Sequence, residues 1–251
     1  MTEITSRTNP RLVHIRKLAG SAGLRRSSGT FLCDSPKLLS EAIQAGWEIV
    51  QVVSTHEVTL PPLPAGTEEI RVPRDVMESI SPMKTPQGVL CICRLPDQTL
   101  PQQLTGQRYV VLDGVQDPGN VGTVLRTADA FGCSGLILLP GCADPFGPKT
   151  VRASMGAVFR CPVWTAGPEE LERTLEKSGI PLYGAALRQD TLDVRQVDLK
   201  RGALAIGSEG RGLSEDVLRR CHATIRIPME PKCESLNAAV AAAILLWEAY
   251  R

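Results

Sequence analysis

The sequence predicts an α/β fold built on a parallel β-sheet with helices on both faces. From Arg108 onward, short apolar runs without polar alternation are separated by segments with helical periodicity. Strands of this kind are buried on both faces, as in parallel sheets. Three of the runs continue into polar loops, LDGVQDPGNVG, AIGSEGRG and IRIPMEPKCES. Because the carboxyl ends of parallel strands gather at one edge of a sheet, these loops predict one composite site.

Length allows one or two domains, and the charge distribution indicates a basic start. The chain has 251 residues, of which 43% are hydrophobic, enough for one large or two modest domains. Residues 1–30 contain a single acid, Glu3, whereas the whole chain carries a net charge of only +1. Such a basic segment is typical of a phosphate-binding surface, although a solvated helix face or a targeting peptide has the same composition. The basic residues are Arg7, Arg11, Arg16, Lys17, Arg25 and Arg26.

Composition also argues against membrane and metal partners. No apolar run long enough to span a membrane precedes the C-terminal segment, and the start lacks the apolar middle of a secretory signal. The eight cysteines form no CxxC pair, which favours reduced thiols and a cytoplasmic location. No cluster of cysteine and histidine has the spacing of a zinc site, so we expect no metal.

Residues 1–95 are predicted to form a small α/β domain. Asn9-Pro10 and Ser35-Pro36 each combine a helix cap with proline at the first helical position. The strands EIVQVVS, EIRV and GVLCICRL follow, with a helix RDVMESI before the last. Residues 96–107, PDQTLPQQLTGQ, are polar and contain proline, as is typical of a linker.

Residues 108–251 are predicted to form the larger domain, in which strands and helices alternate. The strands are YVVLDGV, GLILLP, PLYGAAL, ALAIG and ATIRIPM. One helix is predicted to start at Val121, and two others have the sequences PEELERTLEKSG and LSEDVLRRC. The final helix is apolar on nearly every side between Leu236 and Trp247. A helix of this kind must be buried all round. Burial against a second copy is favoured over burial within the domain, which predicts a homodimer.

The glycine-bearing loops do not match the common nucleotide motifs. The first loop has only GNVG at 119–122 where a dinucleotide site needs GxGxxG, and the chain has no GxxxxGK[ST]. Both dinucleotides and nucleoside triphosphates are therefore disfavoured. The polar side chains that remain for a site are Asn120, Arg126, Glu209, Ser235 and Asn237.

Three segments resemble the signature motifs of the SpoU (TrmH-like) branch of the SPOUT RNA methyltransferases. They are NVGTVLRTADAFG, IGSEGRGLS and IPMEPKCESLNAAVAAAI, and the similar region covers residues 106–251. SRTNPRLVHIRKL, TFLCDSPKLLSEAI and TPQGVL are similar to the ribosomal-protein-like RNA-binding domain that precedes many such enzymes. The resemblance implies a trefoil-knotted domain, a homodimer and S-adenosylmethionine as cofactor. It also implies methyl transfer to a ribose 2′-hydroxyl of RNA, with ribosomal RNA ahead of transfer RNA.

The resemblance also implies roles for individual residues. The cofactor would be held, largely by main chain, at Gly207, Ile227, Met229 and Leu236. The catalytic residues would be Arg126 together with Asn120, Glu209, Ser235 and Asn237. Because arginine stays protonated in proteins, we expect Arg126 to stabilise the developing alkoxide, while a role as base stays open. Without the resemblance, an Arg126–Asp129 ion pair on an exposed helix would be the simpler interpretation. Asn120 and Ser235 are also expected to cap the helices that follow them.

The sequence departs from the family pattern at three places. Pro231 and Cys233 stand where the family usually has a glycine and a small aliphatic residue, and Asp34-Ser35 replaces a frequent Glu-Gly. A proline there removes a backbone donor near the expected cofactor. A non-catalytic RNA-binding or ribosome-assembly factor with the same fold is therefore the competing hypothesis.

Overall fold

The computed structural model describes residues 1–188, 190–230, 232 and 235–251, and the chain forms two compact units. The first unit comprises Met1–Pro96 and Phe146–Arg160, and the second comprises Asp97–Pro145 and Cys161–Arg251. The first unit thus includes a segment from the middle of the region that the sequence assigns to the larger domain. The boundaries predicted from the sequence do not anticipate this insertion.

The N-terminal part of the first unit contains five strands and four helices. In chain order they are β1 (Thr2–Glu3), α1 (Pro10–Gly20), α2 (Ala22–Ser28), β2 (Thr30–Cys33), α3 (Pro36–Gln44), β3 (Ile49–Thr55), β4 (Glu68–Val72), α4 (Arg74–Ile80) and β5 (Val89–Arg94). The sheet order is β1-β4-β3-β5-β2. Its β1, β4 and β3 run parallel, whereas β5 pairs antiparallel with both β3 and β2.

The remainder of the chain alternates strands and helices. In chain order they are β6 (Arg108–Asp113), α5 (Pro118–Ala130), β7 (Gly135–Leu138), α6 (Pro148–Ser154), β8 (Val163–Thr165), α7 (Pro168–Ser178), β9 (Leu182–Ala185), β10 (Leu192–Asp193), β11 (Gly202–Gly207), α8 (Glu215–Arg220), β12 (Ala223–Arg226) and α9 (Ala238–Tyr250). All but α6 belong to the second unit. The strand order is β10-β12-β9-β11-β6-β7-β8, and every pair is parallel, which confirms the predicted sheet.

Each unit has its own apolar core. In the first, Leu12, Ile15 and Leu18 of α1 are fully buried against the sheet, as their helical spacing predicts. The inserted segment supplies the aromatic rings of Phe146 and Phe159, whose centroids lie 4.9 and 6.2 Å from that of Phe31. These contacts explain why the segment belongs to the first unit.

In the second unit, α7 and α8 pack on side chains of the central strands β6 and β11. Helices α5 and α9 contact each other. Helix α5 also contacts β6, and α9 also contacts β11. The alternation of side chains along each strand gives both faces of the sheet an apolar surface for these helices.

Two predicted helix caps are wrong. Helix α5 begins at Pro118, and Asp117 is its cap, with Oδ1 accepting hydrogen bonds from the backbone nitrogens of Gly119 and Asn120 at 2.6 and 3.0 Å. Helix α9 begins at Ala238 and is capped by Asn237 rather than by Ser235. Asn120 therefore lies in the first turn of α5, where its side chain is free to make contacts outside the helix.

None of the helices in the described part of the chain is both long and apolar enough to cross a membrane.

Candidate active site

A cavity of about 260 Å³ lies at the carboxyl ends of three neighbouring strands of the second unit. Its walls come from the ends of β9, β11 and β12 and from the start of α9. All four residues expected to hold a cofactor line it: Gly207, Ile227, Met229 and Leu236. Its lining is largely apolar with a few polar groups, as is typical of small-molecule sites.

The turn after β11 forms one wall of the cavity. Ser208 and Gly212 pair through two backbone hydrogen bonds of 3.1 and 2.9 Å, and Gly212 has a φ of +67°, which favours glycine. A Cβ on Gly207 would lie only 2.0 Å from the carbonyl carbon of Gly212. The turn therefore folds back directly onto the end of β11, and this packing of backbone on backbone requires glycine at 207.

Three of the predicted catalytic side chains form a hydrogen-bonded chain. The Nδ2 atom of Asn120 donates to Oε1 of Glu209, and Nδ2 of Asn237 donates to Oδ1 of Asn120 at 3.2 Å. Asn237 also caps α9 through Oδ1, which accepts from the backbone nitrogens of Ala239 and Val240. The network therefore joins the first turn of α5, the turn after β11 and the start of α9.

The other two predicted catalytic residues are placed differently. Ser235 is exposed and lines the cavity, as does Glu209. Arg126 lies on the exposed side of α5, about 9 Å along the helix axis from Asn120. Among the described residues its guanidinium forms no hydrogen bond and no ion pair, so the alternative Arg126–Asp129 pair is not formed. Pro231 and Cys233 lie outside the described residues.

Sequence reasoning missed two further contributions to this region. Ala185, Ala186 and Leu187, at and after the end of β9, line the cavity. Asp113, at the end of β6, accepts a hydrogen bond from the backbone nitrogen of Ser214 at 2.7 Å and so fixes the start of α8. The apolar run PLYGAAL did predict β9, but only the strand order shows that β9 lies between β11 and β12.

The six basic residues near the start of the chain are not equivalent. Arg7 pairs with Asp75 at 2.6 Å, and Arg11 pairs with Glu68 at 2.5 Å. Arg25 is only 5% exposed, and its guanidinium donates to the backbone carbonyls of residues 18 and 19 at 2.7 and 3.2 Å. Its buried position leaves no guanidinium surface for RNA.

Arg16, Lys17 and Arg26 are the other three basic residues, and all are exposed. Within the part of the chain that the structure describes, they form no ion pair. They lie on α1 and α2, so the first unit has three exposed positive charges that are available to a partner.

Comparison with known proteins identifies the family of the chain. Residues 107–247 match the SpoU rRNA Methylase family, and residues 9–91 match the MRM3-like substrate binding domain. The 23S rRNA (guanosine(2553)-2′-O)-methyltransferase RlmP of Bacillus subtilis is 31% identical over 248 residues, covering 98% of each chain. The 23S rRNA (uridine(2479)-2′-O)-methyltransferase of Streptomyces viridochromogenes is 33% identical, covering 99% of this chain and 91% of that enzyme.

Solved structures agree with the sequence relatives. An rRNA methyltransferase of Sinorhizobium meliloti with bound AdoMet, S-adenosylmethionine, is 34% identical with a TM-score of 0.88, covering 99% of this chain and 97% of the other. The SpoU methyltransferase AviRb of Streptomyces viridochromogenes, also with AdoMet, is 30% identical with a TM-score of 0.88, covering 97% of each chain. Family match, relatives and fold all lead to one conclusion: the chain belongs to the SpoU rRNA methylase family.

Proposed function

We propose that the protein transfers a methyl group from S-adenosylmethionine to a ribose 2′-hydroxyl of ribosomal RNA. One observation carries the proposal: the four predicted cofactor residues line a single cavity that shares Glu209 with the Asn120–Glu209–Asn237 network. The two relatives named above act on a guanosine and a uridine of 23S rRNA. Because they share the class of RNA but differ in the base, we propose ribosomal RNA as the substrate and propose no particular base.

The cavity fits S-adenosylmethionine, which when bound supplies a methyl group on a positively charged sulfur. The cavity is an apolar cleft suited to an adenine ring. Strand β12 ends at Arg226, so the backbone of Ile227 and its neighbours lies beyond the strand pairing and can face a ligand. The side chains of Ile227 and Leu236 can then pack while their backbone groups bind.

The residues of the network would act on the nucleophile. A ribose hydroxyl attacks only when its proton is removed or its oxygen is stabilised as an alkoxide. Asn120 donates a hydrogen bond to the carboxylate of Glu209 at the edge of the cavity, and Asn237 donates to Asn120. Ser235 lines the same cavity. Arg126 has a permanent positive charge and no partner among the described residues, so it can stabilise the alkoxide or an RNA phosphate.

Replacing Arg126 tests the catalytic assignment. Arg126→Ala should lower methyl transfer from labelled S-adenosylmethionine to ribosomal RNA by about 100-fold or more, as for loss of one electrostatic donor. The RNA should come from a strain that lacks the enzyme, and mass spectrometry of its nuclease digest identifies the methylated nucleotide. Arg173→Ala is the control, because Arg173 is an exposed arginine of α7 outside the site. Turnover of Arg126→Ala within a few-fold of wild type would refute the assignment.

Cofactor binding separates the proposal from the competing hypothesis. Calorimetry should give a saturable heat with one S-adenosylmethionine per chain. A chain that binds RNA but gives no such heat would instead be a non-catalytic RNA-binding or assembly factor.

We also propose that residues 1–95 bind the RNA through Arg16, Lys17 and Arg26. Each phosphate contact contributes about 0.7–0.9 to the slope of log affinity against log salt. Replacing all three by alanine should therefore make this slope shallower by about 2 to 3. The matched control is the double variant Arg7→Ala and Arg11→Ala, because both of these arginines already form ion pairs within the protein. Equal changes in both variants would count against a specific surface on α1 and α2.

The exposed face of α9 supports a homodimer. Val240, Ile244, Trp247 and Tyr250 are 38–55% exposed and recur at helical spacing. The indole of Trp247 also packs against the rings of Phe131 and Tyr250, with centroids 5.8 and 6.5 Å away. Because a helix apolar on every side must be covered, we propose that a second copy covers this face. Sedimentation should show a dimer at micromolar concentration, and Trp247→Glu should shift it to monomer.

Two further proposals follow from membership of the family. The larger domain predicted from the sequence, residues 108–251, is proposed to contain a trefoil knot. The cytoplasm is the proposed location, because ribosomal RNA is the proposed substrate.

A further inference from the structure

Three cysteine thiols form a compact cluster inside the first unit, outside the cavity described above. Cys33 ends β2 and is paired in register with Cys91 of β5, and Cys93 lies two residues further along β5. Residues two apart on a strand share a face, so all three side chains are on one side of the sheet. Their Sγ atoms lie within 4.8 Å of one another.

The cluster has the dimensions of a metal-binding site. Metal–thiolate bonds of about 2.3 Å place three sulfur atoms about 4 Å apart around one ion. The thiols therefore need to move by less than about 1 Å to bind it. We propose that Cys33, Cys91 and Cys93 bind one soft monovalent metal ion, copper(I). The spacing of the cysteines along the chain does not reveal the site, because its ligands come from two strands that meet only in the folded sheet.

Burial decides which metal the site would take. All three cysteines have no exposed surface, and α3, which contacts β5, contributes the buried side chains of Leu38 and Leu39. No histidine or carboxylate joins the cluster among the described residues. Zinc in structural sites is almost always four-coordinate, whereas three sulfur ligands in a dry site suit a soft ion such as copper(I).

A buried carboxylate follows the cluster in the chain, and an arginine balances its charge. Asp34 follows Cys33 directly, and its side chain is only 2% exposed. Its Oδ2 pairs with the guanidinium of Arg152, whereas its Oδ1 is buried without a hydrogen-bond partner in the described structure. The guanidinium of Arg152 supplies the positive charge that a buried carboxylate needs. Each cysteine that binds as a thiolate releases one proton, and two thiolates with one thiol leave a net charge of −1 at the ion.

Anaerobic titration of the full chain with copper(I) tests the proposal. The protein is reduced, titrated with copper(I) acetonitrile complex against the competing chelator bathocuproine disulfonate, and desalted before metal analysis. We expect one copper per chain, together with an X-ray absorption spectrum of a three-coordinate shell made of sulfur alone. A shell containing nitrogen or oxygen, or no uptake against the chelator, would overturn the proposal.

Substitutions locate the copper. Cys33→Ala and Cys91→Ser should abolish uptake, with far-ultraviolet circular dichroism showing that each variant is folded. Cys133→Ser should retain the full equivalent, since Cys133 is a buried thiol of the other unit. Uptake that persists in folded Cys33→Ala, or that is lost equally in Cys133→Ser, would show that the copper lies elsewhere. Because the readout is metal content, the outcome does not depend on methyl transfer.

Discussion

Replacing Gly207 with alanine tests whether the turn after β11 shapes the cofactor cavity. The added Cβ would lie 2.0 Å from the carbonyl carbon of Gly212 and 2.2 Å from the backbone nitrogen of Leu213. Carbon atoms in contact normally lie about 3.5–4.0 Å apart, so the turn has to move by about 1.5–2 Å. All of these nearest atoms are backbone, so no side-chain rotation can relieve the clash.

The displacement should weaken cofactor binding by a measurable amount. Overpacking of this kind costs about 1–3 kcal/mol. In its present position the turn places Ser208, Glu209 and Gly212 in the cavity wall. The clash therefore destabilises the conformation that binds S-adenosylmethionine. Since about 1.4 kcal/mol corresponds to a tenfold change, the Kd for S-adenosylmethionine should rise by about 5- to 150-fold. Isothermal titration calorimetry measures this Kd, and thermal unfolding of the free protein reports the stability.

Gly210→Ala is the matched control within the same turn. Gly210 also lines the cavity, but a Cβ there would meet no atom within 4 Å. Its Kd should stay within about twofold of wild type, because substitutions without a clash usually change free energies by less than about 0.5 kcal/mol. Equal Kd values for the two variants would refute the argument that backbone packing at Gly207 sets the shape of the cavity.

Two other perturbations have defined outcomes. Arg25→Ala should lower the free energy of unfolding by about 1–3 kcal/mol because it removes a buried donor from backbone carbonyls, whereas exposed Arg26→Ala should change it by less than about 0.5 kcal/mol. Chemical denaturation measures both, and similar losses would contradict the burial argument. Hydrogen bonds from Arg195 lower the pKa of Asp193 from 3.8 to about 2, so this pair stabilises the fold above pH 3.8 and the effect is lost as the pH falls through 2. NMR titration should show that midpoint, and Arg195→Ala should return it toward 3.8; an unchanged midpoint would be inconsistent with the pairing.

The start of α5 shows what sequence reasoning could and could not resolve. The segment DPGNVG contains two residues that can cap a helix, Asp117 and Asn120. Pro118 decides between them, because proline fits the first helical position and therefore makes the residue before it the cap. The same ambiguity between Ser235 and Asn237 precedes α9. In both cases the helix is predicted correctly, but the residue that caps it is not.

Contacts between one element and the next are the features that could not be predicted from the sequence. Arg25 and Arg26 are neighbours with the same charge, yet only Arg25 meets carbonyls at the end of α1. The composition of α2 cannot distinguish them, because burial depends on which side of the helix faces α1. The apolar runs predict the parallel sheet for a different reason, since burial on both faces imposes its own composition on each strand.

The inserted segment Phe146–Arg160 means that the two units are joined by three passages of the chain rather than by one linker. A protease that cuts near Pro96 would leave residues 1–96 held to the rest of the chain by noncovalent packing on the inserted segment alone. A recombinant chain that starts after residue 96 would carry Phe146 and Phe159 without the surface that buries them, and it would be prone to aggregate. The first unit is therefore not a detachable arm, and the proposed RNA binding and methyl transfer are better separated by point substitutions than by truncation.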